Sequence, residues 1–133
     1  MSSARTLVLG LAMLASSCAP APPPACAHAT IPDCTGTAAP DFATLHSSIL
    51  APRCVVGNAC HSLAEHQGDL VLETRDRAFE DLSTRVVPGD AACSELARRV
   101  TTTSLTERMP PAGNLSTTEI CRILAWIDAG ALP

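Results

Sequence analysis

The sequence predicts an all-α domain of about four short helices in residues 41–133. Apolar residues recur at helical spacing in several segments, and residues that favour helix N-termini stand before them. No segment alternates apolar and polar residues as a strand of a half-buried sheet does. The chain has 133 residues, which suits one small domain with one hydrophobic core.

The first predicted helix begins after Asp41, whose carboxylate is a favourable N-cap. Pro52 is expected to end this helix, because proline has no N–H and obstructs the preceding turn. A second helix is expected from Thr74 to about Arg85. One face of the first helix carries the apolar side chains Phe42, Leu45, Ile49 and Leu50.

A third helix is expected over residues 91–100, with Asp90 as its N-cap. The last helix has the clearest signals, because Ser116 and Glu119 have the spacing of a capping box. Residues 129–130, Ala-Gly, are expected to end it. Its apolar stripe consists of Ile120, Ile123, Leu124 and Ile127.

Residues 1–18 predict an export signal, since Arg5 precedes an apolar run at residues 7–14 and small residues then lead to Cys18. This order resembles a bacterial lipoprotein signal, in which Cys18 becomes the lipidated N-terminus. Cleavage by ordinary signal peptidase is the alternative. The Pro/Ala-rich residues 19–40 are expected to form a tether. The sequence therefore predicts an exported, periplasmic protein held to a membrane by a lipid anchor.

The charge balance disfavours nucleic acid as a partner. The formal net charge is −4, and the nine basic residues are all arginines. They form no basic stripe that would neutralise phosphates. Enzyme motifs are missing as well, because there is no nucleophile elbow, no framed carboxylate pair and no phosphate-binding glycine loop. A role other than catalysis is expected.

The cysteines predict disulfides. Removing Cys18 leaves six cysteines, and an even number in an exported chain is typical of disulfide-bonded domains. The count allows many pairings. The simplest set joins neighbours in the sequence: Cys26–Cys34, Cys54–Cys60 and Cys93–Cys121. In that set, the Cys93–Cys121 bond would attach the last helix to the rest of the domain.

Cys60-His61 is a dipeptide of the kind that holds a c-type haem. The cysteine sulfur adds to a haem vinyl group, and the adjacent imidazole binds the iron. Met109 lies in a proline-marked loop and can bind the opposite side of the iron. The chain has only two phenylalanines, one tryptophan and no tyrosine. A buried macrocycle would supply the flat apolar surface that such a core lacks.

The order of these features resembles the class I cytochrome c family, above all the single-haem domains of exported bacterial proteins. The resemblance covers about residues 41–132. It rests on Ile49-Leu50-Ala51-Pro52-Arg53-Cys54, Cys60-His61, Val87-Pro88-Gly89-Asp90, Arg108-Met109-Pro110-Pro111, Leu115-Ser116-Thr117-Thr118-Glu119-Ile120 and Trp126-Ile127-Asp128-Ala129-Gly130.

The resemblance implies a cytochrome c-like fold around one haem c, with His61 as proximal and Met109 as distal axial ligand. It implies thioether bonds from Cys60 and Cys54. It also implies that Trp126 covers one edge of the macrocycle. Function would then be the transfer of single electrons between protein redox partners.

The attachment segment departs from the usual pattern of that family. Five residues separate Cys54 from Cys60, where the usual motif is Cys-x-x-Cys-His, and Gly57 stands at the place of the first cysteine. Three outcomes follow. The intervening residues bulge outward and Cys54 still reaches a vinyl group, or haem is held by Cys60 alone, or the two cysteines form a disulfide.

Two rival functions fit the same residues. A haem-free, disulfide-stapled shell would act as a structural or interaction module. If the chain does bind haem, His46 or His66 would serve as the axial ligand should Met109 not do so. Alternatively, the chain would bind zinc through a set whose spacing matches no usual zinc motif: Cys54, Cys60, His61 and His66.

Overall fold

The computed structural model describes residues 26–133, so the predictions for residues 1–18 and for Cys18 lie outside the described part of the chain. Within this part the fold is all-α, with four helices and no strand, which confirms the predicted fold class. An isolated bridge pairs Val87 with Asp90. None of the helices in residues 26–133 has the length and apolar character that crossing a membrane requires.

The four helices are joined by loops. They are the first helix, in three consecutive segments (Phe42–Leu45, a π-helical turn His46–Leu50, and Ala51–Cys54), the second helix Arg75–Leu82, the third helix Glu95–Thr101 and the C-terminal helix Thr117–Asp128.

The first helix begins at the predicted cap and continues beyond the predicted end. The Asp41 carboxylate accepts a hydrogen bond from the Thr44 N–H at 2.8 Å. The expectation that Pro52 ends the helix is wrong, because the helix runs through Pro52 to Cys54. The π-helical turn lies directly before this proline. Its wider backbone accommodates a residue that lacks an N–H and would crowd the carbonyl four positions earlier.

The third helix begins later than predicted. Asp90 caps the preceding turn, where its Oδ1 accepts a hydrogen bond from the Cys93 N–H at 3.0 Å. Ser94 is the residue before the helix. Its buried hydroxyl accepts a hydrogen bond from the Val87 N–H at 2.8 Å and donates one to the Asp90 carbonyl at 2.8 Å. These bonds close the segment as a compact turn, and the helix is therefore shorter than its sequence pattern suggests.

The C-terminal helix has the predicted capping box. The Ser116 hydroxyl accepts from the Glu119 N–H at 3.2 Å, and the Glu119 carboxylate accepts from the Ser116 N–H at 2.7 Å. The predicted apolar stripe faces the core, where Ile123, Leu124 and Ile127 are buried. The apolar face of the C-terminal helix is therefore part of the hydrophobic core.

The few aromatic side chains pack together. The Phe42 ring lies 5.1 Å from Phe79 and 5.2 Å from Trp126, measured between ring centroids. The Trp126 indole N–H donates to the Leu132 carbonyl at 2.8 Å. Phe42 and Trp126 are buried. This aromatic cluster joins the first, second and C-terminal helices.

Replacing Phe42 with alanine is expected to lower the free energy of unfolding by about 3–5 kcal/mol, because it leaves a cavity in the centre of the aromatic cluster. Urea unfolding followed by circular dichroism measures the change. Val56→Ala is the control, since Val56 is 65% exposed and its truncation should change stability by less than about 0.5 kcal/mol. Equal effects of the two substitutions would contradict the assignment of Phe42 to the core.

The disulfides differ from the simplest pairing. Cys26 is bonded to Cys93 and Cys34 to Cys121, so the expected Cys26–Cys34 and Cys93–Cys121 bonds are wrong. Cys54 and Cys60 are free thiols, so their expected disulfide is wrong as well.

The reason for these pairings is the path of the N-terminal segment. Residues 26–40 lie along the domain, and the Ala29 N–H donates to the Ala92 carbonyl at 2.8 Å. Cys34 packs against the hydrophobic core. The part of the expected tether that begins at Cys26 is therefore attached to the helical domain by two covalent bonds.

Candidate functional site

An apolar cavity of about 270 Å³ lies where the four helices meet. Its walls include Leu50 of the first helix, Leu82 of the second, Val100 of the third and Ile123 of the C-terminal helix. Three of the sequence-predicted site residues, Cys54, His61 and Met109, also line this cavity. Residues that are far apart in the sequence are thus brought to one concave apolar surface, the usual form of a cofactor or ligand site.

The segment between the two free thiols turns outward. Cys54 is the last residue of the first helix, and a 3-10 turn, Val56–Asn58, follows it. Gly57 in this turn has a φ of 62°, a left-handed conformation that glycine adopts at little cost. Val56 and Gly57 are exposed. The extra residues of the attachment segment therefore form an exposed loop and do not fill the cavity.

Cys60 occupies the far end of this loop. It is half-buried and does not line the cavity, in contrast to its neighbour His61. Its own backbone is left-handed, with a φ of 59°, and its carbonyl accepts a hydrogen bond from the Gln67 N–H at 2.8 Å. Cys60 is close enough to Cys54 for the two thiols to affect each other electrostatically.

His61 is oriented by a backbone carbonyl. Its Nδ1 lies 3.2 Å from the Leu70 carbonyl oxygen. A carbonyl only accepts, so Nδ1 carries the proton and Nε2 keeps its lone pair. Burial lowers the pKa of His61. Hydrogen bonds to the backbone of Leu70 and Gln67 oppose this effect in part, and the nearby Arg85 guanidinium adds to it. The imidazole is therefore neutral and presents one nitrogen that can bind a metal.

Met109 is positioned by its loop. Its N–H donates to the Arg99 carbonyl at 2.8 Å, which joins the loop to the third helix. The Arg108 guanidinium donates to the Asn114 side-chain oxygen at 3.0 Å and to the Pro111 carbonyl at 3.1 Å. These bonds hold residues 108–114 in one conformation, with the half-buried Met109 at the cavity.

Three charged side chains at the cavity were not identified from the sequence. Glu95 lies between Arg85, at 3.7 Å, and Arg99, at 3.4 Å. Arg85 also donates to the Gly68 carbonyl at 2.7 Å. Together they leave one net positive charge at the wall of an apolar cavity. The Glu95/Arg99 spacing of four residues indicates only a helical ion pair, so no sequence signal places this charge beside His61.

One implication of the family resemblance is not met, and the two alternative axial ligands do not lie at the cavity. Trp126 does not line the cavity, because its ring is buried in the aromatic cluster, whereas Ile123 of the same helix forms part of the wall. His46 and His66 do not line the cavity either. The His46 Nε2 is 3.0 Å from the Leu72 carbonyl, which gives this imidazole a structural hydrogen bond.

The expected zinc set is also not assembled. Within residues 26–133, the group of potential metal ligands whose donor atoms lie within 4.8 Å of one another is Cys26, His28 and Cys93. The side chains of Cys54, Cys60, His61 and His66 do not bring three donor atoms this close together. The positions of these four side chains therefore give the alternative of a zinc site no support.

In the haem-free chain, Cys54 is expected to react slowly with alkylating reagents. Burial raises the pKa of its thiol to about 11, so only about one molecule in ten thousand carries the reactive thiolate at pH 7. Its alkylation rate should rise about tenfold with each pH unit until the pH approaches 11. Mass spectrometry of samples alkylated at pH 7, 8 and 9 measures this rate, with Cys60 as the internal comparison. A rate at Cys54 that is independent of pH would contradict this prediction.

The fold is cytochrome c-like: short helices surround an apolar cavity that holds a histidine and a methionine. The sequence profile of the Planctomycete cytochrome C family matches residues 58–113. This range is less than half of the chain and supports a cytochrome c-like family. It contains Cys60, His61 and Met109, whereas Cys54 and the C-terminal helix lie outside it. No curated protein matches the chain, and no solved structure does.

Proposed function

We propose that this protein is an exported c-type cytochrome that carries single electrons through one covalently attached haem. His61 and Met109 would hold the iron, Cys60 would form a thioether bond to the haem, and Cys54 is the candidate for a second one. The observation that carries this proposal is the apolar cavity lined by Cys54, His61 and Met109 together. The match of residues 58–113 to a cytochrome family supports it.

The residues at the cavity fit a haem in three respects. The thiols of Cys54 and Cys60 are the two that take no part in a disulfide among the described cysteines. The Nδ1–H of His61 is directed to a backbone carbonyl, which is the usual way to orient a metal-binding imidazole. Half of the lining residues are Leu, Ile or Val, and their side chains suit an apolar macrocycle.

A bound haem supplies reversible one-electron chemistry at its iron. The chain's own residues determine the conditions for it. The apolar walls exclude water, and the thioether of Met109 raises the reduction potential relative to a second histidine. The net positive charge of Arg85, Glu95 and Arg99 lies at the wall beside His61. This charge disfavours the more positive, oxidised state of a nearby centre and so raises its potential.

The proposed setting is the periplasm, with Cys18 as the lipid anchor. The redox partner would be a protein that presents a basic docking surface, since the formal net charge of the chain is −4 and complementary charge steers association. A haem-free shell that acts as an interaction module is the alternative. The two disulfides favour this alternative, because they join the N-terminal segment to the helical domain without a cofactor.

The test is a pyridine haemochrome spectrum of the full chain, expressed together with c-type maturation proteins and washed under denaturing conditions. A retained haem band supports the cytochrome. Colourless protein with intact helical circular dichroism would reject electron transfer in favour of the haem-free module.

Met109→Ala is expected to lower the reduction potential by on the order of 100 mV, because axial ligands tune haem potentials over a range of about 0.8 V. Spectroelectrochemical titration of the haem-loaded chain measures the potential. Leu105→Ala is the control from the preceding loop, since Leu105 is 74% exposed. A Met109→Ala potential equal to that of the control would reject Met109 as a ligand.

A further inference from the structure

A histidine stands beside the disulfide of the N-terminal segment. The Sγ of Cys26 lies 3.6 Å from Nε2 and 3.7 Å from Nδ1 of His28. One ligand atom from each of Cys26, His28 and Cys93 lies within 4.8 Å of the other two. Among the described residues, no other group of three or more His, Cys, Asp or Glu side chains has its ligand atoms this close together.

The two disulfides differ in their surroundings. Cys121 is 3% exposed, and its half-buried partner Cys34 packs against the hydrophobic core. Cys26 and Cys93 are only half-buried, and His28 is exposed. A reductant in solution therefore reaches the Cys26–Cys93 bond more easily than the Cys34–Cys121 bond.

The three side chains would stay together after reduction of the Cys26–Cys93 bond. The Ala29 N–H donates to the Ala92 carbonyl at 2.8 Å, directly beside the two cysteines. The Cys93 N–H donates to Asp90 Oδ1 at 3.0 Å, which fixes the turn that carries it. The Cys34–Cys121 bond continues to hold the N-terminal segment on the domain. Breaking one disulfide thus leaves the geometry of the donor set largely determined.

We propose that Cys26, His28 and Cys93 form a redox-controlled site for a thiophilic d¹⁰ cation, represented by Zn²⁺. Two thiolates and one imidazole are the ligands that such cations prefer, and a water molecule would complete a tetrahedral zinc site. The oxidised chain holds the two sulfurs in a covalent bond and binds no zinc. The site is separate from the cavity and does not depend on haem.

The chemistry balances with a dithiol as reductant. Two electrons and two protons pass from the dithiol to the Cys26–Cys93 bond, which opens to two thiols while the dithiol closes to its own disulfide. Zinc then displaces the two thiol protons, so each bound Zn²⁺ releases two H⁺ to the solvent. A small-molecule disulfide reverses the step: it takes two electrons from the zinc-bound thiolates and two protons from the solvent, opens to a dithiol, and the Cys26–Cys93 bond re-forms as the ion leaves.

The test uses the full chain and Zn²⁺ alone as the ligand. A phosphine that does not bind zinc replaces the dithiol, and it takes up oxygen from water as it reduces the bond. Alkylation and mass spectrometry identify which cysteines have been opened. Competition with a coloured zinc chelator then measures stoichiometry and affinity under anaerobic conditions. One tightly bound zinc per chain is expected after reduction, and none before it.

Variants assign the ligands. Cys93→Ser is expected to abolish the site. His28→Ala should weaken it by more than about tenfold, because even the loss of a group that only supports a ligand costs about 10–100-fold. His66→Ala is the matched control, since His66 is an exposed histidine far along the chain and its loss should leave zinc affinity unchanged. Cys54→Ser/Cys60→Ser removes the two thiols that are free among the described residues and should retain one zinc.

Several outcomes would overturn the proposal. One is a reduced chain whose Cys26 and Cys93 are alkylated yet which binds no zinc. Another is binding that survives His28→Ala unchanged, or that disappears in Cys54→Ser/Cys60→Ser while the circular dichroism of that variant is intact. Reduction that opens Cys34–Cys121 first, or that unfolds the helices, would show that the donor set is not held in place.

Discussion

Replacing Cys60 with serine is expected to abolish covalent haem attachment. Cys60 directly precedes the proposed iron ligand His61, and both lie within the range that matches a cytochrome family. Cys54 lies outside that range, at the end of the first helix. Without the Cys60 sulfur, the vinyl group next to His61 has no nucleophile at the required position.

Haem staining after denaturing electrophoresis measures the Cys60→Ser effect. The haemochrome band of Cys54→Ser then determines the number of thioether bonds. An unchanged band position means that Cys60 alone holds the haem, and a shifted band means that Cys54 contributes as well. Ala59→Ser is the control, since Ala59 is an exposed neighbour and should retain full staining. Staining of Cys60→Ser equal to that of the control would overturn the assignment.

The second large effect is expected from Cys34→Ala/Cys121→Ala, which should lower the free energy of unfolding by about 4–5 kcal/mol. The bond joins residues that are 87 positions apart, and the loss of so long a constraint greatly increases the entropy of the unfolded chain. A domain of this size has a total stability of about 5–15 kcal/mol. The loss is therefore expected to be a large fraction of the total stability.

Urea unfolding under oxidising conditions measures this loss. Ser47→Ala is the control, because Ser47 is exposed on the first helix and its truncation should cost less than about 0.5 kcal/mol. A loss below about 1 kcal/mol in the double variant would mean that the N-terminal segment adds little to the fold. The result also bears on the cavity, since Cys121 lies on the same helix as the wall residue Ile123.

Much of the helical architecture could be predicted, because it depends on neighbours in the sequence. The Asp41 cap, the Ser116/Glu119 capping box and the buried stripe of the C-terminal helix are local features, and all three are confirmed. Local rules failed at Pro52, where a π-helical turn before the proline allows the helix to continue. They also failed at Asp90, where Ser94 closes an extra turn before the third helix.

The candidate site was predicted in part. Residue chemistry identified Cys54, His61 and Met109, and all three line one cavity. It could not identify Arg85, Glu95 and Arg99 as cavity residues, because a charged side chain has the same sequence pattern on a solvated face and at a cavity wall. The family resemblance placed Trp126 at the macrocycle, whereas its indole packs against Phe42.

By itself, the sequence determined the all-α class, the caps at Asp41 and Ser116, and the residues proposed to hold a haem. Only the tertiary structure decided which cysteines are bonded. Proximity in the sequence favoured neighbouring pairs, whereas the path of residues 26–40 along the domain brings Cys26 to Cys93 and Cys34 to Cys121. A disulfide requires two sulfurs in contact, and contact between segments 67 and 87 residues apart depends on how the whole chain packs.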